Sequence, residues 1–207
     1  MNRGNPGLVS LTMHGGVDLL KDFGARNVKT LHALELSDFN YEQLSTVVTS
    51  LREWGSKGGS LQKLTLTECF SHDDDDVDQA VDFGDNCDSL TDLRIDGFFG
   101  EVLPPGEPFG FSPLLWSILH KCANLKRFEL VNTHEGENVR DLSLLARFCP
   151  DLEHLAIHIS QEKVKVALLH VVGKCTKIQH LSLRVRRLQA ASSNPHFEVE
   201  LVDRLLP

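Results

Sequence analysis

The sequence predicts an α/β solenoid in which short parallel strands line one surface and helices cover the other. Three observations lead to this prediction. A motif of the form Leu-x-x-Leu-x-Leu recurs seven times, its copies begin 23 to 35 residues apart, and six of the seven precede a helix-like stretch. Repetition at periods of 20 to 50 residues is the sequence signature of solenoids and related arrays. The 207 residues are therefore expected to form one repeat domain, residues 1–207.

Each motif copy predicts one strand. Successive side chains of a strand point to opposite faces, so the alternate leucines share a buried face and the residues between them share an exposed one. The copies are LVSLTM from Leu8, LHALEL from Leu31, LQKLTL from Leu61, LTDLRI from Leu90, LKRFEL from Leu125, LEHLAI from Leu152 and IQHLSL from Ile178. Seven parallel strands of this kind would line a single concave surface.

Helices are predicted in four of the segments between the strands. In residues 37–54, Val47, Val48 and Leu51 fall on one helical face, as expected for a helix that packs on the sheet. Residues 111–122 place Ser112 and Pro113 at an N-cap and a first helical position. Residues 137–149 and 161–175 repeat the helical spacing.

The five cysteines stand at positions that the repeat defines. Cys87, Cys122, Cys149 and Cys175 each lie three residues before the first apolar residue of a copy, and Cys69 lies three residues after another copy ends. A small, weakly polar side chain suits a tight turn from helix to strand. The Cys-x-x-Cys spacing of metal sites is absent. The remaining alternative is a row of thiols in successive coils that binds a metal or becomes oxidised.

This motif, with its preceding cysteine, resembles the cysteine-containing, ribonuclease-inhibitor-like leucine-rich repeats found in F-box proteins of ubiquitin ligases. CANLKRFEL and CPDLEHLAI carry the resemblance most clearly, and it covers about residues 5–188. It implies a curved horseshoe of about seven irregular repeats, with a linker and a C-terminal cap in residues 189–207. It also implies protein binding, as in the substrate-recognition or adaptor subunit of a ubiquitin ligase. No F-box is expected ahead of the first repeat.

Composition narrows the classes of function. The net charge is −8, which argues against general binding of nucleic acid through a strongly basic surface. No apolar stretch reaches the length of a membrane span, and the first residues lack the apolar core of a signal peptide. We therefore expect a cytoplasmic or nuclear protein with free thiols. Residues 1–7 are too few to cover the first repeat, which predicts an accompanying chain, self-association at that edge, or a longer protein of which this chain is a part.

The partner-binding residues are predicted on the concave face, between the buried leucines. The candidates are Asp92, Arg94, Asp96, Arg127, Glu129, His154, His158, His180 and Arg184. His154 and His180 are expected to be lateral neighbours, whereas His158 lies too far along the strand to share a metal with them. Two interpretations of these histidines stay open: solvated surface groups, or a partner contact that changes between pH 6 and 7.

A second candidate surface is the insertion at residues 97–112, which makes its repeat the longest. It carries Phe98, Phe99, Phe109 and Phe111 among glycines and prolines. Aromatic residues on a projecting loop favour a partner contact. The alternative is that these rings fold back and extend the core.

The sequence as a whole favours a non-catalytic protein-binding module. Nucleophile elbows, phosphate loops and zinc-protease motifs are absent from it, and neither a cofactor nor a metal is expected. The alternative function is binding of nucleic acid or another anionic ligand through Arg127, Arg184, Arg186 and Arg187 in the basic C-terminal repeats.

Overall fold

A single eight-stranded sheet, with its strands in chain order, is the main element of the computed structural model. The structure describes residues 7–20, 27, 29–70, 87–96, 119–131, 145, 147–160, 175–186 and 197–201. The strands are β1 (Ser10–His14), β2 (Ala33–Asn40), β3 (Lys63–Phe70), β4 (Asp92–Asp96), β5 (Arg127–Val131), β6 (His154–Ser160), β7 (His180–Arg186) and β8 (Phe197–Leu201). β1 to β7 are parallel, and β8 pairs with β7 in the antiparallel direction. The parallel-strand plan is thus confirmed.

One complete α-helix, α1 (Tyr41–Ser56), lies among the described residues and confirms the first of the four predicted helices. It begins four residues later than the predicted segment because β2 continues to Asn40. Asp38 has a left-handed φ of 57° and no pairing partner, while the register is the same on both sides of it, so the alternation of β2 shifts by one residue and Phe39 is buried. A short 3₁₀ helix (Val17–Leu19) follows β1, and residues 119–121 and 147–148 are helical.

The core consists of the alternate leucines, stacked from strand to strand. The register pairs Leu34 with Leu64 and Leu64 with Leu93, and the same column continues through Phe128, Leu155 and Leu181. All six side chains are buried. α1 packs Val47, Val48, Leu51 and Trp54 onto the same core, as the helical spacing predicts. Among the described residues, no helix is long and apolar enough to cross a membrane.

Backbone hydrogen bonds fix the spacing of successive coils just before each strand begins. The carbonyl oxygen of His32 accepts the N–H groups of both Gln62 and Lys63, at 2.8 and 2.9 Å. The carbonyl oxygens of Val9, Gln62, Thr91, Lys126 and Glu153 accept two N–H groups from the next coil in the same way. These bonds join backbone atoms of adjacent coils, so each coil is paired with the next in the same way although the connections between the strands differ in length.

The cysteines occupy the first position of the turns that lead into β4 to β7. The carbonyl oxygen of Cys149 accepts the N–H of Leu152 at 3.2 Å, and Cys87, Cys122 and Cys175 repeat this bond three residues on. Pro150, second in the turn after Cys149, has the fixed φ that this position favours. The side chain of Cys149 is fully buried, and its thiol donates to the carbonyl oxygen of Cys122 at 3.6 Å.

Burial keeps the thiols of Cys122, Cys149 and Cys175 protonated at neutral pH. Burial, and to a smaller extent the negative charge that Cys175 would carry, raises the pKa of Cys149 to about 12. The hydrogen bond with Cys87, together with burial, raises the pKa of Cys122, and burial alone raises that of Cys175. Cys87, Cys122, Cys149 and Cys175 are free thiols. These features fit a packing role for the cysteines, since the thiolate is the form that reacts and binds metals.

The two edges of the sheet are covered unequally. β8 pairs along the C-terminal edge, so the predicted C-terminal cap is a strand. At the other edge Leu11 and Met13 of β1 are half-buried, whereas their partners Leu34 and Leu36 are buried. Val9 and Leu19 are exposed beside them. Within the described residues, the N-terminal edge therefore has the less complete core.

Replacing Cys149 with alanine should lower the free energy of unfolding by about 1 kcal/mol, because the change leaves a small void beneath the turn. Urea denaturation measures the loss, and Cys87→Ala at the half-buried equivalent position should cost less. The folded fraction of Cys149→Ala should keep the partner binding that the sequence predicts. Loss of partner binding at an unchanged denaturation midpoint would show that the cysteine has a direct functional role.

Candidate partner-binding face

The candidate site lies on the sheet face opposite the leucines, which we call the polar face. The strand register arranges its residues in columns that run across the sheet. One column contains Ser10, Ala33, Lys63, Asp92, Arg127, His154 and His180, and the next contains Thr12, Glu35, Thr65, Arg94, Glu129, Ala156 and Ser182. Asp96 belongs to a third column, and so do His158 and Arg184, which pair with each other. The predicted alternation therefore places all of these residues on one face.

Glu129 is the centre of the charged network on this face. Its carboxylate accepts a hydrogen bond from Nη1 of Arg94 at 3.1 Å, one from Nε of Arg127 at 2.8 Å, and another from the Arg127 Nη2. The Nε2 atom of His154 lies 3.2 Å from the same carboxylate. Burial disfavours the ionised acid, but the Arg127 hydrogen bond and the charges of both arginines hold the pKa of Glu129 below its usual value. Glu129 is therefore an ionised carboxylate at neutral pH.

The carboxylates of the network are more deeply buried than its guanidinium groups. The side chain of Glu129 is 8% exposed and that of Asp96 is 17% exposed, whereas those of Arg94 and Arg127 are 42% and 49% exposed. Nη2 of Arg94 donates to Asp96 at 2.6 Å, which fixes that guanidinium between two acids. The outer surface of this cluster is thus formed mainly by cations.

Asp92 lies between Lys63 and Arg127, its partners on the two neighbouring strands. Burial raises the pKa of Asp92, although the positive charges of Lys63, Arg127 and Arg94 favour its ionised form. Desolvation, with a smaller contribution from the negative charge of Glu129, outweighs the three nearby cations. Asp92 is partly buried between its partners, whereas Lys63 is exposed beside it.

His154 and His180 form a parallel stack. Their ring centroids are 4.3 Å apart and their planes differ by 3°, which confirms that they are lateral neighbours. The side chain of His154 is only 21% exposed, so it is not a fully solvated surface group. Burial, followed by the charges of Arg127 and His180, lowers the pKa of His154, and Glu129 offsets part of this effect. His154 is therefore neutral at pH 7.

No protein-family model matches the chain, and no curated protein gives a significant match. The assignment of a role to the polar face therefore depends on its own geometry. Within the described ranges, no three histidine, cysteine or acidic side chains are grouped so that they could hold a metal ion. The arrangement offers fixed hydrogen-bond donors and acceptors on a rigid sheet.

The structure brings seven of the predicted site residues together. These are Asp92, Arg94, Asp96, Arg127, Glu129, His154 and His180. His158 and Arg184 are described only by their strand positions, on β6 and β7. The four loop phenylalanines, Phe98, Phe99, Phe109 and Phe111, lie outside the described residues.

Two parts of the site were missing from the sequence-based candidates. The first is Lys63, whose partnership with Asp92 appears only in the strand pairing. The second part is β8, in which Glu198 pairs with Arg184 and Glu200 pairs with Ser182. Directly paired residues of an antiparallel ladder share a face, so β8 adds two acidic positions beside the predicted basic end.

Glu129→Gln should lower the free energy of unfolding by about 2 kcal/mol, because two guanidinium groups lose the anion that fixes them. It should also lower the pKa of His154 further, since Glu129 supports the protonated ring. Chemical denaturation and NMR titration of the histidine measure the two effects. Glu35→Gln, in the same column but exposed, is the matched control and should change stability by at most about 0.5 kcal/mol. Equal effects of the two variants would contradict a central role for Glu129.

Stability should fall as the pH drops below about 6.5, the usual pKa of histidine. Because the pKa of His154 is lowered on folding, the unfolded chain takes up a proton there before the folded protein does. The free energy of unfolding therefore rises with pH through this window. Denaturation between pH 5 and 8 should show a smaller slope for His154→Gln than for the wild type. An unchanged slope in His154→Gln would contradict this assignment.

Proposed function

We propose that the protein is a non-catalytic binding module that holds a protein partner on its polar face. The observation that carries the proposal is the fixed network of Glu129, Arg94 and Arg127 on a rigid parallel sheet. Charged groups already held in position lose little conformational freedom when a partner binds. Arginine is also enriched at the energetic centres of protein interfaces.

In this proposal the sheet belongs to a leucine-rich-repeat horseshoe, and the polar face is its concave surface. The lateral leucine columns, the parallel strands and the cysteine turns support that assignment. Solenoids of repeats present extended concave surfaces to their partners. The most specific form of the proposal is a substrate-recognition or adaptor subunit of a ubiquitin ligase in the cytoplasm or nucleus. That form is supported by the sequence resemblance alone. The loop at residues 97–112 would supply additional aromatic contacts.

The balance of charge favours a protein partner over nucleic acid. Arg94 and Arg127 both donate to acidic side chains of the chain itself, so their charges are largely compensated. Glu35 lies exposed on the same face, and β8 adds Glu198 and Glu200 at its other end. A polyanion gains affinity mainly by releasing counterions from an extended, uncompensated basic surface. A mixed face suits the irregular charge of a folded protein or peptide.

An affinity pull-down with quantitative mass spectrometry tests the proposal. The double variant Glu35→Arg with Ala156→Arg places two long cations at separate points of the polar face and should lose the proteins that the wild type retains. The expected loss is about tenfold or more, equivalent to removing about one central contact. Salt should have a shallow effect on the retained protein.

Glu53→Arg, on the exposed side of α1, is the matched control because it makes the same charge reversal away from the sheet. It should retain the partner at the wild-type level. The proposal fails if both variants lose binding equally. It also fails if the retained material is nucleic acid that dissociates steeply with salt and on Arg186→Glu.

A further inference from the structure

We infer that Lys63, Arg94 and Arg127 form a seat for one anionic group of the bound protein, a carboxylate or a phosphate. This inference depends on the proposed function, which it makes more specific by naming the chemistry of the partner at one point of the polar face. The three cations come from three consecutive strands, β3, β4 and β5. They surround the position of Asp92.

The first argument is the placement of the three side chains. Asp92 pairs with Lys63 on one side and with Arg127 on the other, and Arg94 follows it two residues along β4 on the same face. Neighbouring strands lie about 4.8 Å apart, and residues two apart along a strand lie about 7 Å apart. One oxyanion of a ligand can therefore be within reach of all three cationic side chains.

The second argument is that the acidic side chains are more deeply buried than the basic ones. The carboxylates of Glu129 and Asp96 are almost covered, whereas both guanidinium groups are nearly half exposed and Lys63 is exposed. A buried carboxylate fixes the guanidinium above it and leaves the outer N–H groups directed elsewhere. An approaching partner meets the cations first, although Asp92, Asp96 and Glu129 together balance the charges of Lys63, Arg94 and Arg127.

The third argument is the number of hydrogen-bond donors that remain. A guanidinium has five N–H donors. Arg94 gives one to Glu129 and one to Asp96, which leaves three of its donors without an acceptor in the described part of the chain. Arg127 makes both of its contacts to a single oxygen of Glu129. Fixed guanidinium groups with further donors are suited to carboxylate and phosphate recognition.

Acidic positions on both sides limit the seat to a single anionic group. Glu35 lies in the same column as Arg94, two strands away, and its side chain is exposed. Beyond the histidine stack, β8 contributes Glu198 and Glu200. A long polyanion would cross these positions and be repelled. A partner with one acidic or phosphorylated side chain, flanked by neutral or basic residues, would not be repelled.

The test uses the full chain and pools of short immobilised peptides, randomised except for one central residue fixed as glutamate, phosphoserine or glutamine. We expect the better of the two acidic pools to retain about tenfold more protein than the glutamine pool, the effect of one charged hydrogen-bonding contact. The glutamate pool retains more if the ligand is a carboxylate, and the phosphoserine pool retains more if it is a phosphate.

Lys63→Gln is the informative variant, because Lys63 is exposed and its loss leaves the buried carboxylates with their arginine partners. It should reduce retention by the acidic pools to nearly the glutamine level. Lys57→Gln removes the same charge from the end of α1 and should have no effect.

Three results would overturn the inference: equal retention by all pools, retention by none, or the same behaviour of Lys63→Gln and Lys57→Gln. If the pull-down still depends on Glu35 and Ala156 under any of these results, the protein-binding function stands without an anionic seat. If the pull-down fails as well, the function itself is wrong.

Discussion

The pairing of each coil with the next through backbone hydrogen bonds is the constraint on which the structure depends. One carbonyl oxygen ahead of each strand accepts two N–H groups from the following coil, and the parallel ladder continues from that point. These backbone bonds join the coils, and the buried leucines select the register, because a slip of one residue would move every leucine to the polar face. The polar residues between the leucines are aligned on the other face by the same register.

The polar face therefore acquires its chemistry from lateral neighbours that are distant in sequence. Arg94 and Glu129 are 35 residues apart along the chain, yet a single step across the sheet brings them within hydrogen-bond distance. The buried Glu129 in turn fixes Arg127 and contacts His154, so four side chains from three strands behave as a unit. Substitutions within this unit are expected to affect one another rather than to add.

Local periodicity was sufficient to predict the seven parallel strands, their direction and the column to which each of their polar residues belongs. The repeated Leu-x-x-Leu-x-Leu determines all three, since the side chains of a strand alternate with a period of two and a solenoid adds one strand per coil. The cysteine turns were predictable for the same reason, because Cys87, Cys122, Cys149 and Cys175 keep one offset. The extension of β2 past Asp38 was not predictable. The motif does not indicate that Asp38 adopts a left-handed conformation, which allows Phe39 to reach the core. Nor could the sequence reveal that the side chain of Glu129 is more deeply buried than that of Arg127, because burial depends on how each side chain packs beside its neighbours.

The unequal covering of the two sheet edges has a consequence for how the molecule opens. In a stack where each coil contacts only the next, unfolding can begin at an end and advance one coil at a time. The half-buried Leu11 and Met13 make β1 the weaker end, while β7 is covered by β8. Glu129 lies on β5, four strands from β1 and three from β8. Fraying at the first coil would therefore leave the charged network intact, so its backbone amides should be among the last to exchange with solvent.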